Sequence, residues 1–298
     1  MQFVAEVASN HNQNLQRCLD FVDAAARLGC DAVKFQLFDI DELFASEVLQ
    51  HSAEHRARRR WQLPRDYLPS IRERCRHAGI RLGCTPFDLD GVVFLADFVD
   101  FFKIASYELL WLELIEACAR TGKPVVLSAG MATLEEVTKA VDAVRLTGNT
   151  AVTVLHCVSV YPARPEECNL KVISTLRRQL GCAAGWSDHS RDPAVLRRAI
   201  HRWQADMIEF HFDLDETGSE HGPGHCWLPG EIGPLIAEAR LAGQIDGSGE
   251  KVPVDREQNE RRWRADPGDG KRPLRAERAR FSRRQSGFSV SGRRGGGA

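Results

Sequence analysis

Between Phe3 and Leu241, short apolar runs of strand type alternate eight times with segments of helical spacing. Few architectures accommodate that pattern. Parallel strands cannot be joined by a tight turn, so each must be followed by a crossover long enough to hold a helix. Eight such units close into a (β/α)8 TIM barrel of about 250 residues, and a chain of 298 residues supplies one barrel plus a tail. The strands read as Phe3–Glu6, Ala32–Gln36, Arg81–Cys84, Phe101–Ile104, Pro124–Ser128, Thr153–His156, Cys182–Trp186 and Met207–Phe210. The helices read as Asn14–Leu28, Pro64–Ala78, Val92–Phe98, Leu110–Thr121, Thr133–Leu146, Val172–Leu180, Pro193–Trp203 and Pro234–Leu241. In the first helix Leu15, Cys18, Leu19, Val22, Ala25 and Ala26 share a face, and Gly29 ends it. Thr133 with Glu136 forms a capping box. Residues 38–60 read as irregular and carry the run His55–Arg60, in a loop that would overhang the barrel mouth. The competing architecture, a doubly wound open sheet, needs a glycine-rich phosphate loop after the first strand, and Ala8-Ser9-Asn10 supplies none.

Charge divides the chain. Residues 251–298 hold 14 Lys and Arg against 6 Asp and Glu, a balance of +8, so the remainder balances at −9 within the net charge of −1. Three segments are expected: a barrel over 1–245, an extension over 246–277, and a basic tail over 278–298. The tail is rich in Arg, Ser and Gly, lacks apolar periodicity and reads as disordered. Such a tail is read as a solvated segment rather than a nucleic-acid contact. No apolar run reaches the length of a membrane span, and no leader-like segment opens the chain. Nine scattered cysteines with no Cys-x-x-Cys pair suit reduced thiols and a cytoplasmic protein better than disulfides or a zinc site. Cys157 and Cys226 are read as buried thiols near the mouth.

In a parallel barrel, residues just past the carboxyl ends of the strands share one mouth. His189, in Gly185-Trp-Ser-Asp-His189, and His211, in Met207-Ile-Glu-Phe-His211, end successive strands, with Asp188 and Glu209 beside them. Each is either a satisfied core histidine or, as favoured here, one of two ligands to a shared divalent metal. Other strand ends carry Glu6, Lys34 with Gln36, Thr85, Lys103 with Ser106 and Glu108, Ser128, and Ser159 with Tyr161. A lysine inside an apolar run such as Ala-Val-Lys-Phe is costly without a partner. Two such lysines with the hydroxyls of Thr85, Ser106, Ser128 and Ser187 suit a small anion, phosphate or carboxylate.

These residues sit in motifs that resemble the N-acetylneuraminate (sialic acid) synthases and their nonulosonic acid synthase relatives. Phe3–His11, Asp31–Gln36, Cys84–Phe87, Phe102–Ser106, Gly122–Glu135, Leu155–Cys157, Tyr161-Pro162, Ser187–His189 and Glu209–His211 follow the family's order over about 230 residues. The resemblance implies an enzyme, a transferase that condenses phosphoenolpyruvate with the open-chain aldehyde of an N-acylated amino sugar, classically N-acetylmannosamine. A bound Mn2+ or Mg2+ would polarise the aldehyde. It implies metal ligation by His189 and His211, and phosphoenolpyruvate contacts from Lys34, Thr85, Lys103, Ser106, Ser128, Ser159 and Ser187. Gln36, Glu108 and Tyr161 fall on the sugar side, Glu6 handles water at C2, Asp188 and His225 join the substrate-binding set, and a homodimer is the family's habit.

The chain also departs from the family. Ser159 stands where Asn is common, and the usual Pro-Gly-Pro-Asp reads Gly222-Pro-Gly-His225 after a longer insertion, Asp213–Glu220. The sugar-binding carboxylate is therefore missing there, and His225 replaces it or adds a metal ligand. The resemblance stops before the family's antifreeze-like domain, which lends an arginine to the sugar site. Three readings follow: a synthase for a sialic-acid-like product, a barrel using a different aldehyde sugar in surface polysaccharide synthesis, or a non-catalytic scaffold.

Overall fold

The computed structural model describes residues 1–285, and the chain divides into two compact units at Gly243/Gln244. In the first unit eight strands lie in parallel register: β1 (Gln2–Glu6), β2 (Ala32–Leu37), β3 (Arg81–Pro86), β4 (Phe101–Ile104), β5 (Val125–Ser128), β6 (Val152–His156), β7 (Ala183–Asp188) and β8 (Met207–His211). They close in sequence order, with β8 pairing back onto β1 from Gln2–Met207 to Glu6–His211. A helix follows every strand, so the expected (β/α)8 barrel is the fold.

Alternation along each strand positions the chemistry. Successive strand side chains point to opposite faces. Phe3, Ala5, Val33, Phe35, Phe102, Ile104, Ile208 and Phe210 pack into the large core. The opposite parity faces the barrel axis, where Val4, Ala32, Phe101, Val126, Leu155 and Met207 form a separate apolar plug. Two residues further on, the same inward parity becomes polar: Glu6 after Val4, Lys34 after Ala32, Lys103 after Phe101, Ser128 after Val126, Glu209 and His211 after Met207. The plug seals the amino-terminal half, and the polar layer above it is the floor of the mouth. Gly83 belongs to the plug layer by omission, because a Cβ there would lie 2.2 Å from Phe101 Cζ. The Phe101 ring fills the space that a β3 side chain would take.

The helices differ from expectation chiefly at their starts. The helix expected at Val92–Phe98 spans Leu89–Leu95, because the Asp88 side chain caps it by accepting from Gly91 N. That expected from Pro64 begins at Leu68 after a 3-10 turn over Arg65–Tyr67. Residues 38–60, read as irregular, contain helices Ile40–Leu43, Ser46–His51 and Ala53–Ala57 and a 3-10 turn Arg58–Trp61. Each is too short for a periodic pattern to reveal. β7 runs two residues past its expected end at Trp186, to Asp188. The closing helix spans Pro229–Asp246 rather than Pro234–Leu241, with Pro234 inside it. The box at Thr133 and Glu136 is present with both bonds formed. Among the described residues no helix is long and apolar enough to cross a membrane, and all nine cysteines are free thiols.

The second unit contains helix Gln258–Arg262 and helix Arg275–Gln285. Asp266 links them by accepting from the backbone amides of Gly268 at 3.0 Å and Arg275 at 2.9 Å. Trp263 meets Phe281 edge-on. The segment read as a tail from 278 begins inside the second of these helices, and residues 286–298 lie outside the described residues.

Candidate active site

The inward polar layer opens into a cavity of about 480 Å³ at the carboxyl ends of the strands. Its floor is a pair of lysines set against a pair of glutamates. Lys34 Nζ contacts Glu6 Oε2 and donates to Thr85 Oγ1 at 3.1 Å. Lys103 Nζ lies 3.5 Å from Glu209 Oε1, which also accepts from Ser187 Oγ at 3.1 Å. Glu6 Oε1 accepts from Gln36 Nε2 at 2.9 Å and from Ala8 N at 3.1 Å. All four charged groups are buried.

Their environments push the two carboxyls apart. Burial raises Glu6 above the carboxylate range, with Glu209 adding to the rise and Lys34 opposing it. Burial acts on Glu209 in the same sense, but the Lys103 and Lys34 ammoniums outweigh it and hold that group low. Burial likewise lowers Lys103 below the usual lysine range. Two neighbouring carboxyls shifted in opposite directions are the arrangement that divides acid and base roles.

One wall is built of hydroxyls. Ser106 Oγ accepts from Gly130 N at 3.0 Å and lies 3.2 Å from Cys157 Sγ. The turn comes this close because residue 130 is glycine: a Cβ there would fall 2.1 Å from Ser159 Oγ and 2.7 Å from Ser106 Oγ. Ser159 Oγ is buried with no hydrogen-bond partner among the described residues. Ser128 and Ser187 line the same cavity.

The opposite wall is built of imidazoles. His189 Nδ1 donates to the Val158 carbonyl at 2.6 Å. That bond fixes the tautomer and leaves Nε2 with the lone pair. Burial, with His211 nearby, holds His189 down to about 3, so its ring stays neutral. The His189 and His211 ring centres are 5.3 Å apart, His225 lies 4.6 Å from His211, and Tyr161 packs 4.2 Å from His189. His211 Nδ1 is 3.2 Å from Glu220 Oε2. Burial lowers His211, but the Glu220 pair outweighs it and the net shift is upward.

The cavity gathers Glu6, Lys34, Gln36, Lys103, Ser106 and Ser128 with Tyr161, Ser187, His189, His211 and His225. Four of the expected site residues do not line it. Thr85 sits behind Lys34 as its acceptor. Ser159 stands beyond Gly130. Glu108, on the turn after β4, is pushed up to about 7 by burial. Asp188 is a correction: its parity in β7 is outward, the opposite of Ser187 and His189. Its carboxylate accepts from Trp186 Nε1 at 2.9 Å, Trp227 Nε1 at 2.8 Å, Ser190 Oγ at 2.7 Å and Arg191 N at 3.1 Å. The Val158 carbonyl rather than Asp188 meets His189, and Glu220 rather than Glu209 meets His211.

Glu220 was missed. It lies in the insertion after β8, where neither periodicity nor a strand end marks it. Its place two residues before the Gly222-Pro-Gly-His225 segment is the available signal. Arg58 and Trp61 also line the cavity, so the run His55–Arg60 does overhang the mouth as expected. The Arg58 guanidinium stacks 5.4 Å from the Trp61 ring centre.

A closed parallel barrel whose carboxyl-end cup gathers two ammoniums, several hydroxyls and a cluster of imidazoles defines a (β/α)8 enzyme. The match to known proteins narrows the class: the model of the NeuB family fits residues 21–251, and the chain belongs to that family of synthases. The N,N'-diacetyllegionaminic acid synthase of Legionella pneumophila is 34% identical over 271 residues, 85% of this chain and 75% of that one. An uncharacterized protein of Methanocaldococcus jannaschii is 33% identical over 260 residues, 86% of this chain and 75% of its own. The crystal structure of the N-acetylneuraminic acid (sialic acid) synthetase of Leptospira borgpetersenii, in complex with citrate, superposes with a TM-score of 0.74 at 29% identity, covering 87% of this chain and 89% of that one.

Proposed function

We propose that this chain is a metal-dependent synthase that condenses phosphoenolpyruvate with the aldehyde of an N-acylated amino sugar, N-acetylmannosamine or a relative, giving a sialic-acid-like nonulosonic acid and phosphate. The observation that carries this reading is the convergence of Lys34, Lys103, His189 and His211 from four different strands on one cavity. Two buried ammoniums with Ser106, Ser128 and Ser187 offer charge-assisted bonds to a carboxylate and to a phosphate carried on the adjacent carbon. Glu6, whose carboxyl burial raises, sits on the lysine side and exchanges a proton with the water that adds at C2. In balance, C3 of phosphoenolpyruvate forms a bond to the aldehyde carbon and the water oxygen bonds to C2; the C2–O bond to phosphate breaks to leave a ketone at C2, one water proton ends on the former aldehyde oxygen and the other on the departing phosphate. Gln36 and Tyr161 border the side where the sugar would lie, and Glu108 stands on the turn after β4.

The residues fit a divalent cation, Mn2+ or Mg2+. His189 is neutral, its Nδ1–H is held by Val158, and its ring centre lies 5.3 Å from that of His211. Such an ion polarises a carbonyl oxygen when bound. The protein is read as a cytoplasmic homodimer. A second reading, a different aldehyde sugar used in surface polysaccharide synthesis, is favoured by His225, which lines the cavity where the resemblance implies a carboxylate. Phosphate release from phosphoenolpyruvate with Mn2+ and a panel of hexosamines tests both. Release with an N-acylmannosamine supports the first reading and release with another aldehyde alone supports the second. No release with any acceptor refutes the enzyme. His211→Ala is expected to abolish the metal-dependent rate while the fold survives.

A further inference from the structure

The insertion after β8 is held in place as if to present one side chain. Arg17 pairs with Asp213 at 2.6 Å and Asp215 at 2.8 Å. Asp213 accepts from Gly218 N at 3.0 Å. Asn10, itself buried, donates to Phe212 O at 3.0 Å and accepts from Glu220 N at 2.7 Å. Ser9 N donates to Glu220 Oε1 at 3.2 Å, which fixes the carboxylate and turns Oε2 toward the imidazoles. There Oε2 lies 3.2 Å from His211 Nδ1 and 3.7 Å from His225 Nε2.

Those spacings are the edges of a coordination polyhedron. Metal–ligand bonds of about 2.1 Å in a tetrahedral site put neighbouring ligand atoms about 3.4 Å apart. Both imidazoles are buried, and Glu220 Oε2 is the carboxylate atom that faces His211 Nδ1 and His225 Nε2 together. A nitrogen of His211, a nitrogen of His225 and Cys226 Sγ also lie within 4.8 Å of one another. The thiol is engaged elsewhere: Cys226 Sγ donates to the Glu220 carbonyl at 3.3 Å. It therefore steadies the loop that carries Glu220.

We propose that His211, His225 and Glu220 together ligate the divalent metal beside His189, and that this imidazole-rich set selects a first-row transition ion over Mg2+. The inference rests on the metal-dependent reading above and adds two ligands to it. Affinity of nitrogen-containing sites for divalent ions rises along the first row from Mn2+ through Fe2+ and Co2+, and imidazole suits the later ions, whereas Mg2+ requires an octahedron of oxygens.

The test uses the full chain and Co2+ alone, with no substrate: equilibrium dialysis for affinity and the visible absorption spectrum for geometry. The expected result is one Co2+ per chain, unaffected by a large excess of Mg2+. Glu220→Gln and His225→Gln should each weaken binding by more than about tenfold and each change the cobalt spectrum, because a ligand has been lost rather than an outer partner. Cys226→Ser should leave the spectrum unchanged. Circular dichroism of each variant separates loss of a ligand from loss of fold, and the His225→Ala variant repeats the measurement if His225→Gln is unfolded. Wild-type affinity or an unchanged spectrum in either ligand variant overturns the inference and leaves His189 and His211 as the ligands. Displacement by Mg2+, or a thiolate absorption band that Cys226→Ser removes, also overturns it. Failure of the wild-type chain to bind Co2+ or Mn2+ at all overturns the metal-dependent reading as well.

Discussion

Replacing Lys103 by methionine keeps most of the side-chain volume and removes one ammonium from the cup. Lys103 and Glu209 are 3% and 6% exposed and 3.5 Å apart. At an effective dielectric of about 20 their attraction is about 5 kcal/mol. Most of that is offset by the cost of burying both charges, a cost visible in the lowered Lys103 pKa. The pair is therefore worth little net, but breaking it is expensive, typically about 3–5 kcal/mol, because one charge is left behind. Glu209 keeps the Ser187 bond at 3.1 Å and remains within the field of Lys34. The loss should therefore fall near the low end, about 3 kcal/mol. Adding Glu209→Gln removes the stranded charge and should recover the stability to within about 1 kcal/mol of wild type. Phosphoenolpyruvate affinity should not recover with it. Loss of one charge-assisted bond, about 1.5–3 kcal/mol, corresponds to about a 10- to 150-fold rise in Kd in both variants. Urea denaturation followed by tryptophan fluorescence gives the stabilities, and titration calorimetry gives Kd. A single variant that loses less than about 1 kcal/mol, or a double variant no more stable than the single, would show that the two charges are not coupled as described. Parallel recovery of stability and affinity would refute the anion-binding role of Lys103.

Asp188→Asn should destabilise the barrel by about 1–3 kcal/mol, because its carboxylate accepts from both Trp186 and Trp227. Phosphoenolpyruvate affinity should stay within twofold of wild type; a large rise in Kd with little loss of stability would return Asp188 to the substrate site. Gly83→Ala puts a Cβ 2.2 Å from Phe101 Cζ. It should cost about 1–3 kcal/mol of overpacking, and Phe101→Leu in the same chain should relieve it; a neutral single substitution would mean the plug is not close-packed. The pH dependence follows from Glu108, raised from 4.5 to about 7 by burial. Below pH 4.5 both states are protonated. Between there and about 7 the folded state holds the extra proton, so stability falls as pH rises, by roughly 3 kcal/mol in all. Glu108→Gln should flatten that slope in denaturation curves taken from pH 5 to 8, and an unchanged slope would remove the burial assignment.

The barrel and most of its cup were legible because strand alternation is a local rule. Every polar residue that lines the floor sits at the carboxyl end of an apolar run, and from Val4 to Glu6 or from Phe101 to Lys103 the inward parity can be counted along the chain. The same count, starting from His189, turns Asp188 outward although the two adjoin in sequence. The short helices between residues 38 and 60 escaped notice because one turn has no period to detect.

What the sequence determined by itself was the fold, the lysine and hydroxyl floor and two of the imidazoles, since strand order and side-chain alternation fix which positions meet at one rim. What the tertiary structure alone decided was the partner of each group. Val158 sets the His189 tautomer across 31 residues of chain. Asn10 fixes the Glu220 backbone across 210 residues. Hydrogen-bond partners, and the pKa shifts that follow from them, depend on distances of a few ångströms between remote segments, and no local pattern in the chain encodes those distances.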